Sequence, residues 1–269
     1  MTALERIIFA VLVVAVIGGA YWWWKSQTPP ELPVAPVATP AAPAPATPEA
    51  EPAIQHPIEQ APVAGNEAPK PLPPLRDSDS AAADALASLM PQGQLPDFII
   101  TKLLVRHIVA TVDNLPREKV AMNLWPVKPV TGLFMVADSP DGKVIAPGNS
   151  ARYATYMRVM ESLDMKKVAA TYVHFYPLFQ EAYKELGYPK GYFNDRLIVV
   201  IDHLLATPEA SGALRLEQPK VLYEFADPVL KGTSAGQQIL LRMGHENEMK
   251  VKEKLRELRR EVTKQAPKG

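Results

Sequence analysis

Prolines crowd into one stretch of this chain, and that crowding prevents it from folding as a single globule. Fifteen of the 28 prolines lie within residues 26–76, which contain no aromatic residue and only one glycine, Gly65. Such a segment buries too little apolar surface to offset the entropy lost on ordering, and its prolines favour extended polyproline II. We predict that residues 26–76 form a disordered Pro/Ala-rich linker.

The predicted linker has two readings. As a spacer it acts by length, and about fifty residues at about 3.1 Å each reach up to about 150 Å. Its sequence should then be replaceable. PxxP strings such as Pro33 to Pro36 also fit SH3-like grooves, but alanine-proline tracts produce such strings by chance. We favour the spacer.

An uncharged run of eighteen residues precedes the linker, beginning at Ile7 and ending at Trp24. A helix of that length spans about 27 Å, close to the roughly 30 Å hydrocarbon core of a bilayer. Tyrosine and three tryptophans end the run, and such rings settle at the headgroup level. We predict that residues 1–25 are a single-pass transmembrane anchor in the bacterial inner membrane.

Orientation and processing of this run rest on few residues. Arg6 and the α-amino group face only Lys25, which favours an N-terminus inside and a periplasmic C-terminal domain. A cleaved signal peptide is the alternative, because Gly18 and Ala20 resemble the small residues that precede a cleavage site.

Charge and composition exclude several classes of protein. Lysine plus arginine equals aspartate plus glutamate at 29 each, so no basic footprint for nucleic acid exists. Without cysteine there is no disulfide scaffold, thiolate metal site or cysteine nucleophile. The histidines lack metal-ligand spacing, and Gly-rich phosphate loops are absent. We expect no nucleic-acid partner, no metal and no cofactor.

Residues 77–264 form one globular, mainly α-helical domain with small β-hairpins, followed by a tail at residues 265–269. Proline and glycine punctuation together with apolar spacing predicts the elements. Helices are expected at 78–90, 97–115, 150–163, 164–186, 194–206, 234–243 and 246–263, and strand pairs at 133–136 with 143–146 and at 214–216 with 221–225. Pro177 predicts a kink or break in the fourth helix.

Several uncommon strings occur in order in this domain, and together they resemble a known family. They are FYPLFQEAY from Phe175, LGYP from Leu186, YFNDR from Tyr192, IDHLL from Ile201, YEFADP from Tyr223, SAGQ from Ser234 and LLRMG from Leu240. They are similar to a proteobacterial, single-pass membrane-anchored family known only as a domain of unknown function, DUF3014, over residues 72–263. The resemblance implies a membrane-tethered envelope protein and carries over no catalytic residue.

The string from Gly232 to Gly236 fits the G-x-S-x-G pattern of a hydrolase nucleophile elbow. That elbow needs a strand running into the serine, then an acid and a histidine in order. No Asp or Glu lies between Ser234 and His245, and Pro228 separates the serine from the nearest predicted strand. We predict that Ser234 is a helix N-cap.

Aromatic and polar side chains between residues 172 and 203 are the candidate binding surface. Tyrosines at helical spacing either form a surface for a partner or pack in the core, and the core is favoured. The polar group either frames a pocket with a titratable histidine or provides a cap and two ion pairs, which we favour. The candidates are Tyr172, Tyr176, Tyr183, Tyr188, Tyr192, Asn194, Asp195, Arg196, Asp202 and His203.

The last predicted helix has apolar residues at heptad-like spacing, Val251, Leu255, Leu258 and Val262, among many lysines and arginines. Two heptads are too few for an independent coiled coil. We expect packing onto its own domain more than binding of anionic lipid or a partner.

These observations favour a non-catalytic periplasmic interaction module held off the inner membrane, with an envelope protein or glycan as partner. A periplasmic hydrolase acting on envelope material is the alternative, but it needs an acid–base pair that the sequence does not place. Energy transduction is weaker still, because residues 7–24 contain no ionisable residue.

Overall fold

A computed structural model of the chain describes residues 53–58, 71–210 and 212–264. Within these ranges no helix is both long and apolar enough to cross a membrane. The predicted anchor at residues 7–24 and most of the predicted linker lie outside them, as does the predicted tail.

The domain is mainly helical, as predicted. Its eight α-helices in the described ranges are α1 (Asp79–Ser88), α2 (Leu104–Asn114), α3 (Ala154–Ser162), α4 (Met165–Glu185), α5 (Phe193–Leu205), α6 (Pro228–Lys231), α7 (Ala235–Arg242) and α8 (His245–Lys264). The four strands are β1 (Val136–Ser139), β2 (Gly142–Ile145), β3 (Arg215–Glu217) and β4 (Glu224–Phe225).

The long helix α4 is central to the packing, because it contacts both α2 and α8. The main core lies between α2, α4 and the start of α5, around Val105, Phe175 and Phe193. Burying such large side chains contributes about 1.5–3 kcal/mol each. The core therefore fixes the first turn of α5, which carries several of the candidate residues.

The prediction at Pro177 was a kink or a break, and the break is wrong, because α4 runs unbroken through Pro177. The proline lies on the exposed side of the helix, and its neighbours Tyr176 and Leu178 are buried. Packing of the buried side offsets the lost hydrogen bond, for which about 3 kcal/mol is typical. The predicted start of this helix is confirmed, because Asp164 accepts a hydrogen bond from the amide of Lys166.

α2 begins later than predicted, at Leu104 instead of residue 97. Leu103 has a left-handed φ of 54° and interrupts the helical pattern. The carboxylate of Asp79, on α1, accepts hydrogen bonds from the amides of Leu103 and Leu104 at 2.7 and 3.0 Å. A cap that comes from another helix has no local sequence signal.

Both predicted strand pairs exist, and they join into one antiparallel sheet in the order β1-β2-β3-β4. The join is made where Val144 of β2 pairs with Arg215 of β3. β1 begins at Val136, three residues later than predicted.

α8 packs onto its own domain, as expected. Val262 is buried against Ala169 and Ile198, and Val251 and Leu255 contact the cluster around Leu240. Its polar side includes an ion pair between Glu248 and Lys252 that is also buried.

Candidate functional site

Six residues of the predicted linker, 53–58, contact the domain at the start of α5. The carboxylate of Asp195 accepts hydrogen bonds from the amides of Gln55 and His56 at 3.0 and 2.7 Å. The hydroxyl of Tyr192 accepts one from the amide of Ile58 at 2.7 Å. We call residues 53–58 the docked segment.

Asn194 completes this set of contacts from a fully buried position. Its Nδ2 donates to the carbonyl of His56 at 2.9 Å, and its Oδ1 accepts from the hydroxyl of Tyr172 at 3.1 Å. Because both ends of the amide are satisfied, its orientation is fixed. We call Tyr192, Asn194 and Asp195 the docking site.

Gln180 holds the docking site from behind, and sequence reasoning missed it. Its Oε1 accepts from the hydroxyl of Tyr176 at 3.0 Å and from the amide of Phe193 at 2.9 Å. Its Nε2 donates to the carbonyl of Gly191 at 2.7 Å. These bonds fix the turn that leads into α5, and only the tertiary fold brings Gln180 to it.

The predicted tyrosine surface is largely interior. Tyr176 and Tyr183 are only 7% and 5% exposed, and both belong to the main core. The pKa values of Tyr172 and Tyr176 are both raised, and burial is the largest cause in each case. Tyr172 and Tyr176 therefore support the docking site without lying on an open surface.

Tyr188 and Arg196 belong to a different cluster, built around Asp113. The buried carboxylate of Asp113 accepts from Arg196 Nε at 3.0 Å and from the Tyr188 hydroxyl at 3.2 Å. The ring of Tyr183 stacks on Tyr188 with centroids 4.6 Å apart. Asp113 was not among the predicted candidates, and no local pattern in α2 marks it.

Asp202 and His203 lie apart from the docking site. Asp202 accepts two hydrogen bonds from Arg259 of α8, at 2.6 and 2.9 Å. His203 Nε2 lies 2.8 Å from the Oγ of Ser234. Arg196 and Asp202 do form ion pairs, although their partners, Asp113 and Arg259, come from other helices. The predicted cap is wrong, because Asn194 lies inside α5 and no side chain of the described residues caps that helix.

Ser234 is the N-cap of α7, as predicted. Its Oγ accepts from the amide of Gln237, and the Gln237 side chain accepts from the amide of Ser234, which makes a capping box. Helix α6 and its C-cap Gly232 precede Thr233 and Ser234, whereas a nucleophile elbow needs a strand there.

The start of α7 also lacks the free amides of an oxyanion hole. The amides of Ala235 and Gly236 donate to the carbonyls of Arg117 and Leu115, at 2.8 and 2.9 Å. Donors that already have partners cannot stabilise a developing oxyanion without rearrangement. The Ser234–His203 contact therefore has the geometry of a nucleophile and its base, but no free amides lie beside it at the start of α7 to form an oxyanion hole.

No group of three or more potential metal-ligating side chains occurs within the residues the structure describes. The polar atoms of the docking site are instead arranged around a polypeptide backbone, since they contact three amides and one carbonyl of the docked segment.

Comparison with known proteins gives one match. The model of a family described as "Protein of unknown function (DUF3014)" matches residues 104–259, more than half of the chain. No curated protein and no solved structure matches significantly. The matched range includes the docking site, the Asp113 cluster and the Ser234 cap, and the chain belongs to the DUF3014 family.

Proposed function

We propose that this protein is a non-catalytic interaction module of the bacterial envelope that binds a bent peptide segment of a partner at Tyr192, Asn194 and Asp195. In this proposal residues 7–24 anchor it in the inner membrane and the Pro/Ala-rich linker holds the domain off the bilayer, in the periplasm. The observation that carries the proposal is the docked segment, because the site already holds a peptide segment, one that bends at Gln55 and His56.

The docking site contacts main-chain atoms of the peptide. All four hydrogen bonds use amides or a carbonyl of residues 55–58, and none uses a side chain of the segment. Recognition of this kind depends on backbone shape and tolerates changes of sequence. A different peptide with the same backbone conformation therefore fits the same side chains.

The amides that the site uses define a pattern. Gln55, His56 and Ile58 each donate, and the residue skipped is Pro57, which has no N–H. Ile58 also packs against the main core. We therefore expect the partner to present two amides, a proline and then an apolar residue, in the same bent conformation.

Occupancy by the chain itself makes the interaction competitive. A segment tethered to its own domain has an effective concentration that reaches the millimolar range for short flexible links. A partner must displace the docked segment, and so it must bind more tightly or be present at high local concentration.

The linker sequence is replaceable only outside residues 53–58, since that segment makes specific contacts with the domain.

Exchange of the docked segment for a labelled peptide tests the proposal. The probe is a fluorescent peptide of residues 52–60, and the protein is the full chain in detergent. Replacing Gln55 and His56 together by proline removes both amides that Asp195 accepts. We expect the peptide to bind this released variant about tenfold more tightly than the wild type, measured by anisotropy.

Two further variants locate the binding. Asp195→Asn in the released background should weaken peptide binding by about tenfold or more, because bonds to a charged acceptor contribute about 1.5–3 kcal/mol. Asp202→Asn, on the same helix but paired with Arg259, should not change it. Ile54→Pro is the control for the released variant, since the Ile54 amide makes no hydrogen bond to the docking site. Absence of peptide binding to the released variant would overturn the proposal.

Anchoring is tested separately. Membrane fractions should retain the uncleaved chain after carbonate and high-salt washing. A soluble form that begins near Tyr21 would instead identify residues 7–24 as a cleaved signal peptide.

The hydrolase alternative is supported by one contact, the 2.8 Å distance between His203 Nε2 and Ser234 Oγ. Against it stand the occupied amides of Ala235 and Gly236 at the same helix start. Labelling of Ser234 by a fluorophosphonate would favour the hydrolase over the interaction module.

A further inference from the structure

A second cleft, separate from the docking site, lies between the β3–β4 connection and the start of α7. Its volume is about 920 Å³, and it shares no lining residue with the docking site. Phe134, Tyr223 and Phe225 form aromatic walls, and Ser234 and His203 line it as well. Its size falls in the range of small-molecule sites.

Arg242 is the one arginine that lines this cleft, and among the described residues its guanidinium has no acidic partner. One of its Nη atoms donates to the carbonyl of Tyr223 at 3.0 Å. Its guanidinium carbon lies 5.6 and 5.5 Å from the ring centroids of Phe134 and Phe225. Its Nε is buried without a hydrogen-bond partner, and no carboxylate of the described residues is within ion-pair distance of it.

The half-buried guanidinium of Arg242 carries a positive charge that no neighbouring negative charge balances within the part of the chain that the structure describes. Burial lowers the pKa of Arg242, but arginine stays charged in proteins. A charge withdrawn from water without a counter-ion is unfavourable, and a carboxylate matches the planar fork of arginine with two parallel hydrogen bonds.

The other charges of the cleft do not supply that carboxylate. Glu224 is paired with Lys231, whose Nζ lies 2.8 Å away, and this hydrogen bond lowers the pKa of Glu224. Glu118 and Lys119 also line the cleft and offset each other in charge. Arg242 therefore leaves the lining with an excess positive charge.

The mouth of the cleft is apolar. Val221 and Leu222 are 85% and 76% exposed, although large aliphatic side chains of this kind are usually covered. They adjoin Tyr223 on the β3–β4 connection and line the same cleft. Exposed apolar residues beside a cleft are typical of a surface that receives an apolar group.

We propose that this cleft binds an organic carboxylate with an apolar body, with the carboxylate on Arg242 and the body against Tyr223, Val221 and Leu222. A free acid and the C-terminal residue of a peptide both present this chemistry. The site is independent of the docking site and of the proposed peptide binding there.

Calorimetric titration of the full chain in detergent tests the site with three probes: 3-phenylpropionate, its neutral amide, and acetyl-leucine-leucine with a free C-terminus. We expect the acid to bind about tenfold more tightly than the amide, since only the acid pairs with arginine. Tighter binding of the dipeptide than of the acid would identify a peptide terminus as the ligand. Equal binding of acid and amide, or no binding of any probe, would overturn the proposal.

Variants at the mouth keep the test independent of folding. Val221→Glu and Val221→Gln remove the same apolar contact, but only Val221→Glu adds a negative charge at this exposed position, so it should weaken binding of the acid about fivefold more than Val221→Gln does. Arg242→Gln should abolish binding, with circular dichroism as the check on folding. Asp195→Asn should have no effect on the acid.

Discussion

Arg196 Nε donates a hydrogen bond to Asp113 Oδ1 at 3.0 Å and thereby ties α5 to α2. A second nitrogen of Arg196 donates to the backbone carbonyl of Asp113 at 2.7 Å. The side chain of Asp113 is only 2% exposed, and Arg117 and Tyr188 also donate to it. One carboxylate of α2 therefore fixes the position of the helix that carries the docking site.

Removing this carboxylate should destabilise the domain strongly. Asp113→Ala takes the side-chain acceptor from Arg196, Arg117 and Tyr188, and losing hydrogen bonds to a charged group typically costs about 1.5–3 kcal/mol. Urea unfolding measures the loss. Asp138→Ala is the matched control, because the Asp138–Lys143 pair is exposed and should contribute little to stability. Equal losses in both variants would contradict the prediction.

Local signals in the sequence predicted most of the helices, because caps, prolines and apolar spacing act over a few residues. The start at Asp164 and the cap at Ser234 are examples. The start of α2 was predicted wrongly because its cap, Asp79, comes from another helix. The pairing of Val144 with Arg215 is equally non-local, so two hairpins were predicted where one sheet exists.

The candidate site was predicted only in part for the same reason. Tyr192, Asn194 and Asp195 stood out because they are polar residues beside an apolar helix. Their contact with residues 55–58 spans more than 130 positions, and composition gave no sign that part of a proline-rich linker would be ordered. His203 was grouped with Asp202 by sequence, but adjacent helical residues project in different directions, and His203 meets Ser234 instead.

Ser234 should behave as a cap when it is replaced. Ser234→Ala removes the acceptor for the Gln237 amide and should lower the free energy of unfolding by about 1 kcal/mol. Ser234→Thr, which keeps a hydroxyl, should lose less. Denaturant unfolding of the three proteins gives the comparison, and wild-type stability of the alanine variant would contradict the capping role.

Gly236 should not tolerate a side chain, although alanine favours helices. A Cβ at this position would lie 2.7 Å from Leu204 Cδ2 and 2.9 Å from the carbonyl oxygen of Leu115. Overpacking of this kind typically costs about 1–3 kcal/mol, which exceeds the gain of about 1 kcal/mol from helix propensity. Gly148→Ala is the control, since its Cβ would lie 3.5 Å from Met135 and make an ordinary contact. A shift of the thermal midpoint in Gly236→Ala alone is the expected result.

The buried tyrosines should make the domain sensitive to alkaline pH. Burial raises the pKa of Tyr172 well above the ordinary 10.0, so the folded state keeps its phenolic proton at pH values where the unfolded state loses it. The folded state then binds more protons than the unfolded state, and the free energy of unfolding falls as pH rises above about 10. Below that pH the stabilisation by Tyr172 is fully present.

Tyr172→Phe should be less stable at pH 8 by about 1 kcal/mol, since the hydrogen bond to Asn194 is lost. The same variant should lose less stability than the wild type between pH 9 and pH 11, as measured by denaturant unfolding at each pH. Parallel pH profiles for the two proteins would show that Tyr172 does not carry this sensitivity.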